Sequence, residues 1–360
     1  MARVPIELTD PEYTKPASHG AVERFFLRFI RDERDLPFVW LILGMTFIQL
    51  PFAIAMFVPG VFRWWMAPIY LAMFYGLFAD RYILMLHNTS HRPLWKREYN
   101  FMKSYIPYVL GPFTGQTPGT YFIHHITMHH AEGNLVKDLS STMKYQRDDV
   151  GHFAMYWSEF FFVQIFKLAA YQARKKRTRL VVALLVGELS FYALLAVGVM
   201  LAPGPTITVF LIPFLISRFV MMAGNWGQHA FVDQNDPGSI YKSAITCINH
   251  RYNQRCFNDG YHISHHLSAT RHWTDHPAEL RDNAEKYAAA DAIVFKDIDF
   301  IGVWFLLMRK DYAGLADKFV DMRADSPSGP RSKEEIMALL QSRTLRLDVT
   351  RQDVIDAVPA

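Results

Sequence analysis

Four long apolar runs limit what this 360-residue chain can fold into. They lie at residues 36–58, 64–86, 180–202 and 206–223. The charged residues inside them are Asp80, Arg81, Glu188 and Arg218. Because about 20 apolar residues in a helix cover the hydrocarbon core of a bilayer, the runs predict four transmembrane helices. The alternative is that they are buried helices of a water-soluble protein.

Short links and the placement of positive charge orient the predicted helices. The links PGVFR and PGP join the runs into two hairpins and contain one basic residue, Arg63. Basic residues instead precede the first run, at Arg24, Arg28, Arg31 and Arg34, and the third run, in RKKRTR at 174–179. Positive charge collects on the cytoplasmic side of membranes, so both termini and the central segment are predicted to be cytoplasmic. This asymmetry favours membrane helices over a soluble core.

The runs divide the chain into three segments. We expect a cytosolic N-terminal segment at 1–35, a membrane domain at 36–275 and a cytosolic, helical C-terminal segment at 276–360. Prolines break KSYIPYVLGPFTGQTPGTY, which predicts a re-entrant or interfacial segment. Residues 152–174 predict a helix on the membrane surface. Ser332 and Glu335 form a capping-box pattern, which predicts the start of a short soluble helix.

Histidines concentrate at the predicted cytoplasmic ends of the apolar runs. The motifs are HNTSH at 87–91, HHITMHH at 124–130, NWGQH at 225–229 and HISHH at 262–266. Residues four apart lie on one face of a helix, and this spacing lets two imidazoles bind one metal. The pairs with this spacing are His87/His91, His125/His129, Asn225/His229 and His262/His266. Lone histidines such as His19, His152 and His276 are expected to be ordinary polar side chains.

The number and type of these ligands predict two metal ions. Eight or nine imidazoles exceed the needs of one metal, and imidazole suits iron, copper, zinc and nickel. The chain has two cysteines, too few for a thiolate zinc or iron–sulfur site. It contains neither E-x-x-H, the pattern of soluble di-iron bundles, nor H-E-x-x-H, the zinc-protease helix.

In their order between paired runs, the motifs resemble the histidine boxes of the membrane fatty acid desaturase/hydroxylase superfamily. The boxes are HNTSH, HITMHH and HISHH, and NWGQH resembles the extra ligand motif of acyl-CoA desaturases. The resemblance covers about residues 36–275. It implies an all-α integral membrane protein, with four transmembrane helices in two hairpins and a cytosolic helical cap that holds a di-iron centre.

The resemblance also implies ligands and chemistry. The iron ligands would be His87, His91, His125, His129, His130, His229, His262, His265 and His266. Asn225 would act through water. The two iron ions, with O2 as co-substrate, would introduce a double bond into a fatty acyl chain. The alternative within the superfamily is a hydroxylase or oxygenase acting on an alkyl, sterol or carotenoid substrate.

Electrons are expected from a separate partner protein. The chain has no H-P-G-G haem motif and no cysteine cluster. The donor would be of the ferredoxin, rubredoxin or cytochrome b5 type, with its reductase. The basic segment RKKRTR is a candidate docking site for an acidic donor, and contact with anionic lipid headgroups is the alternative.

Three further residues are candidates for orienting the ligands. Asp80 and Arg218 each lie seven residues, about two helical turns, before a predicted site residue. We hypothesise that they pair with each other or orient ligands separately; the alternative is that they extend to the membrane interface. His124 precedes the second box and is a candidate partner of a ligand. The sequence offers no partner for Glu188.

A metal transporter or sensor is the third class of function. A transporter would place polar ligands near the bilayer midplane, whereas these lie beyond the predicted helix ends. The Ala- and Arg-rich loops favour a bacterial inner membrane over the endoplasmic reticulum. The sequence leaves open the chain length, the double-bond position and the acyl carrier.

Overall fold

The computed structural model describes residues 4–323, 329–355 and 357–358. The chain forms two compact units, each assembled from separate parts of the sequence. The membrane-helix unit comprises Thr14–Ile126 and Leu168–Phe219, and the strand-containing unit comprises Met1–Tyr13, Thr127–Lys167 and Val220–Ala360. The predicted division of the chain at residues 35 and 275 stays a prediction. Within its terminal segments, residues 1–3, 324–328, 356 and 359–360 lie outside the described residues.

Helices make up the membrane-helix unit. Its α-helices are Ala21–Phe26, Leu36–Gly44, Leu50–Met56, Met66–Leu77, Ala79–His91, Thr120–His124, Thr178–Leu201 and Pro203–Thr206. Tight 3-10 turns lie at Glu33–Asp35, Arg97–Ser104 and Pro112–Thr114, and wide π turns lie at Met45–Gln49, Ile106–Leu110 and Ile207–Leu211. The segment predicted to be re-entrant therefore consists of short helical turns, because proline cannot donate the backbone hydrogen bonds of a continuous helix.

Three helices of the described chain are long and apolar enough to cross a membrane. They are Glu33–Met56, Thr178–Leu201 and Pro203–Gln228. A fourth span is available if Met66–Leu77 and Ala79–His91, which are bent by 46°, act as one. The bend falls at Phe78, whose φ of −125° departs from helical geometry. The structure thus gives three or four candidate spans, and the arrangement in two hairpins stays a prediction.

Helix Thr178–Leu201 has the exposure expected of a helix in lipid. Its most apolar window has a mean hydropathy of 2.3, yet only 22% of that window is buried. The side chains of Val186, Leu189 and Met200 are all more than half exposed. Exposing such surface to water costs about 25 cal/mol per Å², whereas lipid tails are as apolar as these side chains.

Two glycines allow close backbone contacts in the membrane-helix unit. A Cβ atom at Gly187 would lie 2.0 Å from the carbonyl oxygen of Pro118. A Cβ atom at Gly115, whose φ is +79°, would lie 2.4 Å from the carbonyl carbon of Pro213. No side chain fits at either distance. The segment that contains Gly115 and Pro118 is therefore held directly against two of the candidate membrane-spanning helices.

The strand-containing unit combines short helices with two strands. Its α-helices are His130–Glu132, Ile240–Ser243, Arg251–Arg255, His262–Leu267, His276–Asp282, Ala284–Ala289, Phe300–Met308, Tyr312–Lys318, Lys333–Thr344 and Gln352–Ile355, with a 3-10 turn at Trp273–Asp275. Strands β1 (Ile245–Ile248) and β2 (Ile293–Lys296) pair in parallel, with Ile245 opposite Ile293. The predicted all-α fold is corrected to a mostly helical one, because both strands are short apolar runs that parallel pairing buries.

The chain passes from one unit to the other at four points, one between Tyr13 and Thr14 and one in each of three helical segments. These segments are the π turn His125–His129 and the α-helices Val150–Arg174 and Ile212–Gln228. Val150–Arg174 confirms the helix predicted at 152–174, and its location on a membrane surface stays a prediction. The predicted capping box is confirmed, since the Ser332 hydroxyl accepts from the Glu335 amide and the Glu335 carboxylate accepts from the Ser332 amide.

A buried core in the strand-containing unit holds the third histidine motif in place. Tyr261 and Ile263 belong to this core, and N-terminal residues including Leu8 pack against it. The Tyr261 hydroxyl donates a 2.7 Å hydrogen bond to the carboxylate of Asp10. Because Tyr261 directly precedes helix His262–Leu267, this packing fixes the start of the motif.

Candidate metal centre

Each predicted ligand motif lies on a helical segment or directly after one. HNTSH forms the end of helix Ala79–His91, and HISHH begins helix His262–Leu267. The second motif lies in the π turn His125–His129 and continues into the next residue, His130. His229 directly follows helix Ile212–Gln228.

Four histidines converge in the strand-containing unit. The candidate ligand nitrogens of His129, His229, His262 and His266 all lie within 4.8 Å of one another. Nε2 of His262 lies 3.1 Å from Nε2 of His229 and 3.0 Å from Nε2 of His266. His129, His229 and His262 are buried, and His266 is partly buried. We call this set the four-histidine cluster.

Hydrogen bonds behind two of these rings determine which nitrogen faces the cluster. Nδ1 of His129 lies 2.7 Å from the carboxylate of Asp138, and Nδ1 of His229 lies 2.9 Å from the carbonyl oxygen of Ser243. Each Nδ1 therefore donates, which leaves Nε2 as the nitrogen that can offer a lone pair to the cluster. Metal-binding histidines are oriented in this way. Converging lone pairs repel one another, so the arrangement favours a cation.

Burial keeps rings of this cluster neutral. Desolvation, reinforced by the neighbouring His129 ring, lowers the pKa of His229 to about 3. Desolvation, followed by the His262 and His130 rings, lowers the pKa of His266 well below its usual value. A metal binds the unprotonated imidazole, so at neutral pH no proton competes with a metal at these two rings.

Asp138 is a buried carboxylate behind the four-histidine cluster. One oxygen accepts hydrogen bonds from the His129 ring and the Asn134 amide, and the other accepts from the amide and hydroxyl of Ser140. Burial by itself raises the pKa of Asp138, but the His129 ring and the bonds from Ser140 outweigh burial and hold it at about 2. The carboxylate is therefore ionised at neutral pH.

Two more predicted ligands meet in the same unit. Nε2 of His265 lies 3.0 Å from Nε2 of His130. The His130 ring also stacks on His266, with 4.6 Å between centroids. Six of the nine predicted ligands therefore lie together in the strand-containing unit.

The membrane-helix unit brings together the other three predicted ligands. Nε2 of His91 lies 3.1 Å from Nε2 of His125. The His87 ring lies 4.6 Å from the His125 ring and 5.3 Å from the His91 ring, measured between centroids. Tyr121 stacks on His125 at 5.1 Å. We call His87, His91 and His125 the three-histidine group.

A comparison with known protein families decides what kind of protein carries these histidines. Residues 62–297 match the fatty acid desaturase family, a match that covers more than half of the chain and contains every predicted ligand. The chain belongs to the fatty acid desaturase family. The comparisons with curated proteins and with solved structures found no match. Family membership makes the chain an oxidoreductase of the desaturase or hydroxylase type, from a family that is membrane-bound and known for using two iron ions.

This desaturase-family chain groups its histidines differently from the prediction. The i, i+4 spacing predicted that His125 and His129 bind one metal, but His125 lies in the three-histidine group and His129 in the four-histidine cluster. These two histidines are the first and last residues of the π turn His125–His129. Similarly, His262 and His266 share the cluster while His265 contacts His130.

Asn225, the predicted water-mediated ligand of the desaturase motif, is held by two acceptors. Its Nδ2 donates to the Tyr156 hydroxyl at 2.6 Å and to the Ser140 carbonyl at 3.1 Å. Tyr156 in turn donates to the same carbonyl at 3.2 Å. Because both amide hydrogens of Asn225 are used, the amide oxygen is the group left to accept a hydrogen bond from water. His124 belongs to neither histidine group within the described part of the chain.

The structure gives Arg218 a partner that sequence analysis did not name. Arg218 Nη2 lies 3.0 and 3.1 Å from the two carboxylate oxygens of Glu188. Glu188 also accepts hydrogen bonds from the hydroxyls of Thr117 and Thr120. Asp80 accepts the hydrogen bond of the next amide along its own helix, and its predicted pairing with Arg218 stays a prediction.

No sequence motif predicted the residues that hydrogen-bond the ligands from behind. Asp138 lies nine residues after His129, and Ser243 lies fourteen after His229, so no helical spacing connects either to its ring. Tyr156 lies 69 residues before Asn225. The only sequence signal for Asp138 is that an acidic residue follows the histidine box in a polar loop.

Proposed function

We propose that this chain is an O2-dependent fatty acyl desaturase that introduces a double bond into a lipid acyl chain with the help of two iron ions. The observation that carries the proposal is the four-histidine cluster, in a chain that belongs to the fatty acid desaturase family. Four imidazoles, two of them anchored through Nδ1, are a ligand set for a first-row transition metal rather than a catalytic acid or base.

The nine histidines are proposed as the iron ligands, with Asn225 acting through water. The four-histidine cluster has enough nitrogens for one ion. The other five proposed ligands are the three-histidine group, His87, His91 and His125, and the pair His130 and His265. Bound iron would supply the O2-dependent oxidation of an unactivated C–H bond. The protein's part is to hold the ligands, keep the rings neutral and present one part of a flexible chain.

The proposed setting is a membrane crossed by four helices, with both termini and the histidine motifs on the cytoplasmic side. The apolar lengths and the placement of basic residues support this topology. A bacterial inner membrane is preferred over the endoplasmic reticulum, on loop composition.

A separate electron donor is proposed as the partner. Residues 174–179 are exposed and contain five Lys or Arg residues, so they offer a positive surface to an acidic ferredoxin, rubredoxin or cytochrome. Replacing three of the five with Gln is expected to slow electron delivery from the reduced donor at low salt and to leave iron content unchanged.

The proposed function is tested in a bacterial host fed deuterated fatty acids. The host expresses the wild-type chain, His262→Ala, or the control His19→Ala, whose ring lies 3.2 Å from Glu33 rather than in a histidine group. Mass spectrometry of the lipids should show loss of two hydrogens in the wild type and the control, and no change in His262→Ala.

Iron analysis of the purified chains completes the test. Two tightly bound irons per wild-type chain are expected, with fewer in His262→Ala. Gain of one oxygen in the lipid, instead of loss of two hydrogens, would replace the desaturase proposal with a hydroxylase. A chain that binds no iron, or one that exchanges metal freely across a membrane, would contradict both.

A further inference from the structure

A polar loop, residues 134–142, makes hydrogen bonds to three separate parts of the candidate iron site. Asp138 binds the His129 ring at 2.7 Å. The Ser140 carbonyl accepts from the Asn225 amide at 3.1 Å. The Thr142 hydroxyl donates to the backbone carbonyl of His229 at 2.7 Å. All of these residues belong to the strand-containing unit.

Polar groups of the loop hydrogen-bond to one another. The Asn134 side chain accepts from the Thr142 amide at 2.9 Å, and the Asn134 amide donates to Asp138 at 2.9 Å. Asn134 adopts a left-handed conformation, with φ at 60°, which Asn tolerates better than most residues. The two oxygens of Asp138 together accept four hydrogen bonds, from His129, Asn134 and twice from Ser140.

Charge gives this carboxylate a second role. Neutral imidazoles leave the charge of a bound cation uncompensated, and a low-dielectric interior strengthens the attraction to any nearby anion. The Asp138 side chain is fully buried and lies on the far side of the His129 ring from the cluster. It therefore opposes the charge of a cation without occupying a coordination position.

We propose that Asp138 is a positioning residue for the metal at the four-histidine cluster. It holds His129 with Nδ1 as the donor and Nε2 toward the metal, supplies a compensating negative charge, and anchors the loop that orients Asn225. The inference rests on the proposed function to the extent that the cluster binds a metal ion.

Cobalt(II) titration of the purified, metal-free, full-length chain in detergent tests this role. Cobalt(II) reports both affinity and ligand geometry through its visible absorption. Asp138→Asn is compared with Asp148→Asn, a matched control that removes a buried carboxylate bonded to Tyr312 at 2.8 Å. Asp138→Asn should weaken one bound ion about 10- to 100-fold and shift its absorption bands, with the second ion and the control unchanged.

The possible outcomes separate the inference from the function it rests on. A wild-type chain that binds no cobalt overturns both. Equal affinities and spectra for the wild type and Asp138→Asn, or an equal loss in Asp148→Asn, overturn the positioning role and leave the proposed function standing. If Asp138→Asn does not fold, Ser140→Ala takes its place. It removes the hydroxyl that donates to Asp138 and lies 3.3 Å from Nδ1 of His129 while keeping the charge, so an intermediate loss of affinity is expected and unchanged binding overturns the inference.

Discussion

Arg218 and Glu188 form a buried ion pair inside the membrane-helix unit, with Nη2 of the arginine 3.0 and 3.1 Å from the two carboxylate oxygens. The Glu188 side chain is 1% exposed and the Arg218 side chain is 11% exposed. Thr117 and Thr120 donate to the same carboxylate. The pair therefore joins helix Thr178–Leu201, helix Ile212–Gln228 and the segment between residues 115 and 120.

Breaking this pair should destabilise the protein, and replacing both partners should not. Arg218→Met leaves Glu188 buried without its counter-charge, which typically costs about 3–5 kcal/mol. The double variant Arg218→Met/Glu188→Leu should recover most of that loss, because well-packed apolar residues often replace a buried pair without penalty. Thermal unfolding in detergent measures both.

An exposed ion pair provides the control for the Arg218 and Glu188 variants. Lys333 and Asp317 are bonded, but their side chains are 44% and 62% exposed. Lys333→Met should change stability little, since solvent screens exposed pairs. If Arg218→Met proves no more harmful than Lys333→Met, the buried pair does not contribute to the stability of these helices.

The close contact at Gly187 gives a second prediction. Gly187→Ala would place a Cβ atom 2.0 Å from the Pro118 carbonyl oxygen, so helix and loop must separate. Overpacking of this kind costs about 1–3 kcal/mol and should lower the melting temperature. Gly76→Ala is the matched control, a helical glycine with nothing within 4 Å of its added Cβ atom. Gly76→Ala should be neutral or stabilising by up to about 1 kcal/mol. Equal melting temperatures for the two variants would refute the close contact.

Tyr156 should matter for turnover through Asn225. Tyr156→Phe removes the hydroxyl that accepts from the Asn225 amide at 2.6 Å, which frees the amide to rotate. We expect turnover to fall roughly 10-fold while iron content stays constant, as when other groups behind a metal ligand are removed. Tyr145→Phe, which removes a hydroxyl bonded to Glu159, is the control and should keep wild-type turnover. Comparable losses in both variants would point to general damage to helix Val150–Arg174 instead.

Metal removal should destabilise the chain through the four-histidine cluster. A ligand bound only by the folded state raises stability in proportion to the logarithm of its concentration over its Kd, by about 2.7 kcal/mol at 100 times the Kd. Chelation should lower the melting temperature, and added Fe2+ under anaerobic conditions should restore it. His229→Ala should respond less to both treatments. A melting temperature that chelation does not move would argue against a metal in the folded protein.

Glu159 gives an expectation for acid stability. Burial acts to raise its pKa, but hydrogen bonds from Lys167 and Lys144 outweigh burial and lower the pKa to about 2. Because the folded pKa lies below the unfolded value of about 4.3, the ionised carboxylate stabilises the fold above that pH and loses this effect as the pH falls toward 2. Because the Glu159 carboxylate is partly exposed, solvent screening limits its contribution to stability to about 1 kcal/mol. Melting temperatures from pH 6 to pH 3 should therefore fall slightly less steeply in Glu159→Gln than in the wild type, whereas parallel curves would contradict the assignment.

The sequence by itself determined the membrane-helix class, the histidine motifs and the family. These properties depend only on residues that are close together in the sequence. An apolar run needs about 20 consecutive residues, and a histidine box needs at most seven. The capping box at Ser332 was predictable for the same reason. The two strands were missed because four-residue apolar runs such as Ile245–Ile248 carry no period that distinguishes strand from buried helix.

The tertiary structure decided how the histidines are grouped and what holds them. The sequence predicted that His125 and His129 share a metal, and in the structure the two belong to different groups. Glu188 acquires its partner only when separate helices pack, across 30 residues to Arg218. Asp138 meets His129 nine residues away through the path of a loop, which no regular spacing predicts. The physical reason is that spacing fixes the direction of a side chain on its own helix, whereas the partner of a buried charge depends on which other backbone approaches it.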